Sequence, residues 1–449
     1  MNDLDSKLNE HLVSLQNQGL YRQMRRVDSA QSPHIRLGGK ELLNFSSNDY
    51  LGLANDPVLK EAALRAIAAY GAGAGASRLI CGSLAPHHDL EEALAAFKGT
   101  DAALAFSTGY AAALGTLCAL LTKGDMIILD KLVHASIVDA ARLCGAKLRV
   151  FAHNDLNQLE DILKWADTSR GANIAADTAS DKSIASAKER LGHAQSLGNG
   201  RPIRILVVTE SVFSMDGDQA PLREIVELKS RYGAWLMVDE AHATGIYGPN
   251  RRGWGEELGI GEQIEIQMGT LGKALGASGG YICGSRTLID YLVNCARSFI
   301  FSTAPVPAAA AAATAGVNFV RSSGGEHRRD SLWQRVKQLR GLLSKTQMPT
   351  SLSSGNDTQV IQPFEKHPVR YGGPILPLLI GEEDNAVQAA TALREEGILI
   401  PAIRYPTVAR GCARLRLTVS AAHTPSEIER LVAIIGALNL PLRIPVLEF

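Results

Sequence analysis

Lys273 lies in Gly269-Thr270-Leu271-Gly272-Lys273, followed by Ala274, Leu275, Gly276, Ala277, Ser278, Gly279 and Gly280. A lysine in so glycine-rich and nearly uncharged a segment is set to lose hydration. That lowers an ammonium pKa and frees the amine for Schiff-base chemistry with a carbonyl. The glycines let backbone approach a flat ligand closely, and Thr270 is placed to donate to a phosphate. The string is not a P-loop, which needs Ser or Thr after the lysine, whereas position 274 is Ala. The plainer alternative is a surface lysine with its head in water.

AWLMVDEAHATG reads as a buried apolar strand that stops abruptly at Asp239, Glu240 and His242. Open α/β sheets bind ligands beyond the carboxyl ends of their strands. A carboxylate there can pair with a protonated heterocyclic nitrogen, or simply cap a helix. In Phe106-Ser107-Thr108-Gly109-Tyr110-Ala111-Ala112 a strand end runs through glycine into a helix. Free amides at such a helix start bind phosphate, although most Ser-Thr-Gly starts are only caps. His134, in LDKLVHAS, offers a ring that stacks on an aromatic ligand or serves structure alone.

The elements that must position these residues alternate between strand and helix. Apolar runs without alternation occur at Met126–Leu129, Lys147–Phe151, Arg204–Glu210, Ala234–Glu240 and Gly279–Cys283. Such runs suit strands covered on both faces by helices, and hence a mainly parallel sheet. Helices are expected over Glu91–Gly99, from Gly109, over Thr287–Ser298 and through the alanine-rich Ala308–Ala315. The first forty residues read as an amphipathic helix and then an extended stretch over His34–Leu43. Residues 164–201 are rich in Ala, Ser, Asp and Gly, and are expected to form an exposed insertion. A second soft stretch covers Ser351–Gly373. Beyond it PILPLLI, a helix over Ala386–Glu396, ILIPAI and RLRLTVS lead to a last helix capped by Thr424, with Pro425 at its first position. The expected domains are 1–50, an N-terminal helix and extended segment; 51–305, a large α/β domain; and 306–449, a small α+β domain.

With 449 residues the chain exceeds one ordinary core. Forty-six basic residues balance forty-six acidic ones, so no broad field points to nucleic acid or an anionic membrane. No apolar run reaches the ~18 residues that span a bilayer. The N-terminus is polar, with early acids and no apolar h-region, unlike a signal or transit peptide. Six scattered cysteines without Cys-x-x-Cys spacing suit free thiols in a reducing cytoplasm, and neither a disulfide framework nor a zinc site is expected.

Taken in order, these strings resemble fold-type I pyridoxal 5'-phosphate (PLP) enzymes and, among them, the α-oxoamine synthase family. That family condenses an amino acid with an acyl thioester and releases CO2. The resemblance covers about Leu43 to Leu438. It includes NFSSNDYLGL, Gly82 with His87 and Leu90-Glu91, His153-Asn154-Asp155, TESVFSMDGDQAPL, VDEAHATG, GTLGKALG, FSTAPVPA and RLRLTVSAAHT. It implies that Lys273 is the Schiff-base lysine and proton carrier. Asp239 pairs with the pyridinium nitrogen, His242 reaches the phenolic oxygen with Ser214 nearby, and His134 stacks on the ring. Gly109 and Tyr110 give amides to the phosphate, and Thr270 adds a hydroxyl. Ser302 and Thr303 match residues that reach the phosphate from a neighbouring subunit, which implies a homodimer. Arg416 matches the arginine that grips the amino-acid carboxylate, a task suited to a guanidinium. Arg22, Asn48 and Thr407 match other substrate-side positions.

Within the family, the string IPAIRYPTVARGCARLRLTVSAAHT is most similar to members that join L-alanine to pimeloyl-CoA or a pimeloyl-acyl-carrier protein. Tyr405, Ala409, Ala243 and Ala113 depart from the usual pattern, and neither Ala243 nor Ala113 removes a catalytic group. Three other expectations stand beside this one. They are another acyltransfer of the family, with glycine or serine and a different thioester; a transamination; and a partner subunit without catalysis, against which Lys273, Asp239, His242 and His134 all speak.

Overall fold

The computed structural model describes residues 2–177, 203–345, 372–440 and 442–443. The chain divides into two compact units. The larger comprises residues 56–213 and 219–323; the smaller comprises 1–55, 214–218 and 324–449. The N-terminal segment thus groups with the C-terminal part, and the alanine-rich helix Pro307–Arg321 with the larger unit.

Seven strands build the sheet of the larger unit: β1 Ala102–Phe106, β2 Met126–Asp130, β3 Lys147–Phe151, β4 Ile205–Glu210, β5 Trp235–Asp239, β6 Ile266–Thr270 and β7 Gly280–Gly284. Their order is β1-β7-β6-β5-β4-β2-β3. The pairs from β6 through β3 are parallel. β7 runs antiparallel to both its neighbours, so β1 points the same way as the parallel set. The unbroken apolar runs have a direct cause. Ile127, Leu129, Leu206, Val208 and Met237 face one buried cluster. The alternate residues Ile128, Val207, Leu236 and Val238 face another. Each face is covered, so both sets of a pleat must be apolar.

Two strands escape the apolar pattern. β6 carries Gln267 and Gly269, and that glycine leaves room for the Tyr281 phenol on β7, which a Cβ would overlap. β3 exposes Lys147, Arg149 and Val150 at the sheet edge, where charge discourages further pairing.

Several boundaries differ from the sequence expectation. The helix expected from Glu91 begins at Ala85. The helix Leu156–Asp177 runs on through the start of the expected insertion, and Ala166 is fully buried. The insertion therefore begins later than residue 164; its remainder, 178–201, and most of the second soft stretch, 351–371, lie outside the described residues. Thr287–Ser298 resolves into two helices, Arg286–Cys295 and Arg297–Ile300.

In the smaller unit the extended stretch is a hairpin of His34–Leu37 and Lys40–Asn44, which Ile398–Leu399 joins in parallel. A second sheet places Ala413–Thr418 between Ile375–Gly381 and Ala402–Ile403. ILIPAI is thus shared between two sheets. Thr424 caps the helix Pro425–Ala437, as expected. The N-terminal helix Asp3–Asn17 is capped by Asn2 and buries none of its residues within the chain. Among the described residues no helix is long and apolar enough to cross a membrane.

Candidate active site

β1, β2, β5 and β6 all end at the same edge of the sheet, and a candidate site residue follows each one. Gly109 comes after β1, His134 after β2, Asp239 closes β5, and Thr270 and Lys273 end and follow β6. The topology therefore gathers at one edge what the sequence spreads over more than 160 positions.

Asp239 is 5 % exposed. The Ala241 N–H donates to its Oδ1 at 2.9 Å. Burial raises the Asp239 pKa, and the Lys273 ammonium and the His134 imidazole act against that rise. His134 caps the helix Ala135–Leu143, its Nδ1 accepting from the Ser136 N–H at 3.2 Å and pairing with the Ser136 hydroxyl at 2.8 Å. Loss of hydration lowers the His134 pKa; Asp239 opposes this and Lys273 reinforces it. These three side chains feel one another, so the structure brings them together. His242 is buried two residues beyond Glu240. Glu240 is occupied elsewhere, accepting from Trp254 and Gly255 N–H at 2.9 Å each.

Lys273 is half-buried on the connection between β6 and β7. That connection is pinned: Leu271 N–H donates to Gly279 O at 2.9 Å and Ala277 N–H to Leu271 O at 2.8 Å. The Thr270 hydroxyl donates to Gly279 O at 3.0 Å and accepts from the Gly272 N–H at 3.2 Å. The lysine side chain thus hangs from a fixed loop.

The helix Gly109–Leu120 starts beside this loop. A Cβ built on Gly109 would stand 3.9 Å from the Thr270 Cβ. Thr108 caps the helix by accepting from the Ala111 N–H at 3.0 Å. Among the described residues the N–H groups of Gly109 and Tyr110 have no acceptor, as the first turn of a helix dictates. Gly280 makes this closeness possible. A Cβ there would lie 2.5 Å from the Gly109 Cα and 2.6 Å from the Thr108 carbonyl oxygen.

Among the described residues no hydrogen bond ties Ser302 or Thr303 to that group. They lie on a surface loop, where Ser77 bridges Thr303 and Ala304 N–H donates to Ala76 O at 3.0 Å. Beneath it His87 is fully buried and donates through Nε2 to Pro305 O at 2.7 Å. Gly82 allows the fold-back, because a Cβ would overlap the Ala76 carbonyl.

The remaining candidates belong to the smaller unit. There Arg416 is buried; its Nε donates to Ser214 O at 2.5 Å and its Nη2 to the Tyr50 hydroxyl at 3.4 Å. The Tyr50 hydroxyl donates in turn to Asn48 Oδ1 at 3.2 Å. Arg416 therefore joins Ser214 directly and Asn48 through Tyr50. Arg414 next door pairs with Asp216, and burial pushes its pKa down to about 10. Thr407 and Arg22 are exposed and stand outside that network. Both neighbour Arg404, which accepts from the Thr407 N–H at 3.0 Å and donates to Tyr21 O at 3.1 Å.

Sequence reasoning missed several supports. Arg78 holds Glu91 with two bonds of 2.9 Å, and Glu91 also accepts from the Ala105 N–H on β1. His153 and the Asn154 N–H hold Asp130 at the end of β2, at 3.0 and 2.9 Å. Glu91, His153 and Asn154 sit in strings already noticed, but their partners lie elsewhere in the sequence.

A profile of the class I and II aminotransferases matches residues 40–435. The chain belongs to that family. Members of it with high similarity include 8-amino-7-oxononanoate synthases of Citrifermentans bemidjiense and Geobacter sulfurreducens. The first is 42 % identical, over 95 % of this chain and 96 % of its own. The second is 41 % identical, over 96 % and 98 %. Among solved structures, a serine palmitoyltransferase of S. paucimobilis with a bound PLP–myriocin aldimine superposes with a TM-score of 0.79 at 28 % identity, covering 97 % of this chain and 98 % of that one. An 8-amino-7-oxononanoate synthase of Francisella tularensis gives 0.64 at 25 % identity, covering 88 % and 97 %. Within the aminotransferase family this chain is an α-oxoamine synthase with the fold-type I architecture, an enzyme whose cofactor is PLP.

The residues present fit that cofactor. A buried carboxylate with a raised pKa is costly as an anion unless a cation stands beside it, and a protonated pyridine nitrogen is such a cation. Unpaired helix-start amides beside a threonine hydroxyl suit a phosphate. A half-buried lysine on a fixed loop suits an aldehyde.

Proposed function

We propose that this chain condenses L-alanine with a pimeloyl thioester to give 8-amino-7-oxononanoate, CO2 and the free thiol carrier, a step of biotin biosynthesis. One observation carries the reading. The gathering of Gly109, His134, Asp239 and Lys273 at one sheet edge occurs in a chain that aligns almost end to end with proteins named for that reaction.

The roles in this reading are those the family resemblance implies for each residue. Lys273 bonds the cofactor and, as a free amine, moves the Cα proton of the amino acid. Asp239 keeps a proton on the ring nitrogen. His242 hydrogen-bonds the phenolic oxygen, with Ser214 as a second contact, and His134 stacks on the ring. Gly109, Tyr110 and Thr270 hold the phosphate. Arg416 takes the amino-acid carboxylate, a placement for which its burial and its bond to Ser214 speak. Asn48, Thr407 and Arg22 serve the substrate side. When bound, PLP supplies the electron sink for carbanion formation and decarboxylation. The protein fixes orientation and protonation around it. The six scattered cysteines suit a cytoplasmic setting.

The direct test supplies the PLP-loaded enzyme with L-alanine and pimeloyl-CoA and reads the product by mass. The decarboxylated amino ketone is expected. Product from glycine or serine with another acyl-CoA instead, and none from this pair, overturns the assignment.

The reading includes a homodimer with shared sites, in which Ser302 and Thr303 serve the neighbour's phosphate. The exposure of Thr303 and the half-exposure of Ser302 on a surface loop speak for it. Lys273→Ala chains and Ser302→Ala/Thr303→Ala chains would be unfolded and refolded together. A heterodimer with shared sites holds one site with both lesions and one with neither, so activity should rise well above either parent. No gain in a verified heterodimer overturns the sharing.

A further inference from the structure

Tyr110 is the second residue of the helix that starts at Gly109, and its amide is one of the two that find no acceptor among the described residues. Its hydroxyl donates to Asp139 Oδ2 at 3.0 Å. Asp139 belongs to Ala135–Leu143, the helix that begins on the His134 cap. One hydrogen bond therefore joins two walls of the site, the turn with the free amides and the helix that carries the imidazole.

Other ties hold the helix start on its remaining sides. Thr108 caps it, Gly280 packs against Gly109, and the Ser298 hydroxyl donates to Ala111 O at 2.6 Å. Further along, the two helices share a buried cluster through Ala112, Leu117, Ile137 and Ala140, and the Cys118 thiol donates to Ala140 O at 3.8 Å; at the first turn the tie between them is the Tyr110 hydroxyl. Burial does not demand the Tyr110–Asp139 bond, since Tyr110 is 47 % exposed and Asp139 is exposed too. Water would satisfy both groups. A charge-assisted bond kept under those conditions fixes geometry more than it adds stability. Asp139 also favours the protonated form of His134.

We propose that Asp139 is a positioning residue of the phosphate cup: through the Tyr110 hydroxyl it holds the first turn of the Gly109 helix in register with the helix that His134 caps. This rests on the reading of the Gly109 and Tyr110 amides as phosphate ligands. It assigns the Tyr110 side chain a role of its own beside that of its amide. Asp139 touches neither cofactor nor substrate and acts through Tyr110.

The test compares two ligands of the apoprotein, PLP and pyridoxal, which lacks the phosphate. Each is titrated by visible absorbance and by quenching of tryptophan fluorescence. A lesion that only loosens the fold weakens both ligands alike; a displaced phosphate cup weakens PLP alone. Tyr110→Phe and Asp139→Ala should each weaken PLP binding about tenfold, the scale of one charge-assisted hydrogen bond. Pyridoxal binding should stay within about twofold. The double variant should be no weaker than either single one, because the two lesions break the same bond. Asp139→Asn keeps an acceptor oxygen and should retain the wild-type preference for PLP. Unchanged PLP affinity in Tyr110→Phe, or equal weakening of both ligands, overturns the proposal. Should Asp139→Ala fail to fold, Tyr110→Phe, which removes one oxygen atom, decides alone. A wild-type apoprotein that binds pyridoxal as tightly as PLP overturns the phosphate-cup reading first, and the role of Asp139 with it.

Discussion

Lys273→Ala should abolish the borohydride-reducible link between cofactor and protein and lower turnover by at least about 10³-fold, because it removes a covalent anchor and a proton carrier together. The fold should survive. Lys273 is half-buried, and the loop around it is held by backbone bonds from Leu271 and Ala277 and by the Thr270 hydroxyl. None of those ties uses the lysine side chain. PLP should still bind non-covalently, because the Gly109 helix start and Asp239 are untouched. The measurement is reduction with borohydride, proteolysis and mass mapping of the adduct. In the wild type the adduct should fall on Lys273. An adduct on any other lysine sinks the assignment, as does an alanine variant that keeps a reducible link.

The candidate site was legible in the sequence because buried parallel strands write a plain signature. An apolar run covered on both faces has no reason to end in Asp-Glu-Ala-His unless the polar residues meet something at the sheet edge. That logic singles out Asp239 as a candidate; Lys273 stands out as a lysine in a glycine-rich, nearly uncharged segment, and Gly109 as a strand end running into a helix. It failed where the partner that decides the structure is distant. β6 carries Gln267 and Gly269, and only the Tyr281 phenol on β7 explains why a glycine belongs there. Local periodicity says nothing about strand direction, so the antiparallel run of β7 was not foreseen. The same limit hid the grouping of residues 1–55 with the C-terminal part, which rests on pairing of Leu43 and Asn44 with Ile398 and Leu399. Composition also misled at residues 164–177. Small and polar residues there read as a loop, yet Leu159, Leu163 and Ala166 bury one stripe and carry the helix onward. Tyr110–Asp139 and Arg78–Glu91 were invisible for a related reason: each half looks like an ordinary surface residue until its partner is known.

Asp239→Asn should leave PLP bound while slowing exchange of the L-alanine Cα proton by about 10²–10³-fold, the scale on which one lost electrostatic contact to developing charge acts. The substitution is close to isosteric. An asparagine Oδ1 can still accept from the Ala241 N–H, which is 2.9 Å from the carboxylate, so the end of β5 keeps its geometry. What changes is charge. The aspartate is buried, its own pKa is raised by that burial, and Lys273 is the cation that most opposes the rise. A ring nitrogen that carries a proton gives the carboxylate a second cation, and the carboxylate in turn keeps that proton in place. The amide can accept from a protonated nitrogen but cannot stabilise its charge to the same degree, so the nitrogen loses its proton and carbanion formation loses its driving force. On the proposed reading cofactor affinity depends more on the Gly109 and Tyr110 amides and Thr270, and should fall by little. Proton exchange of L-alanine in deuterium oxide, followed by NMR without any thioester, isolates this step from acyl transfer. Near wild-type exchange in a variant that has bound PLP would show that Asp239 does not set the protonation of the ring.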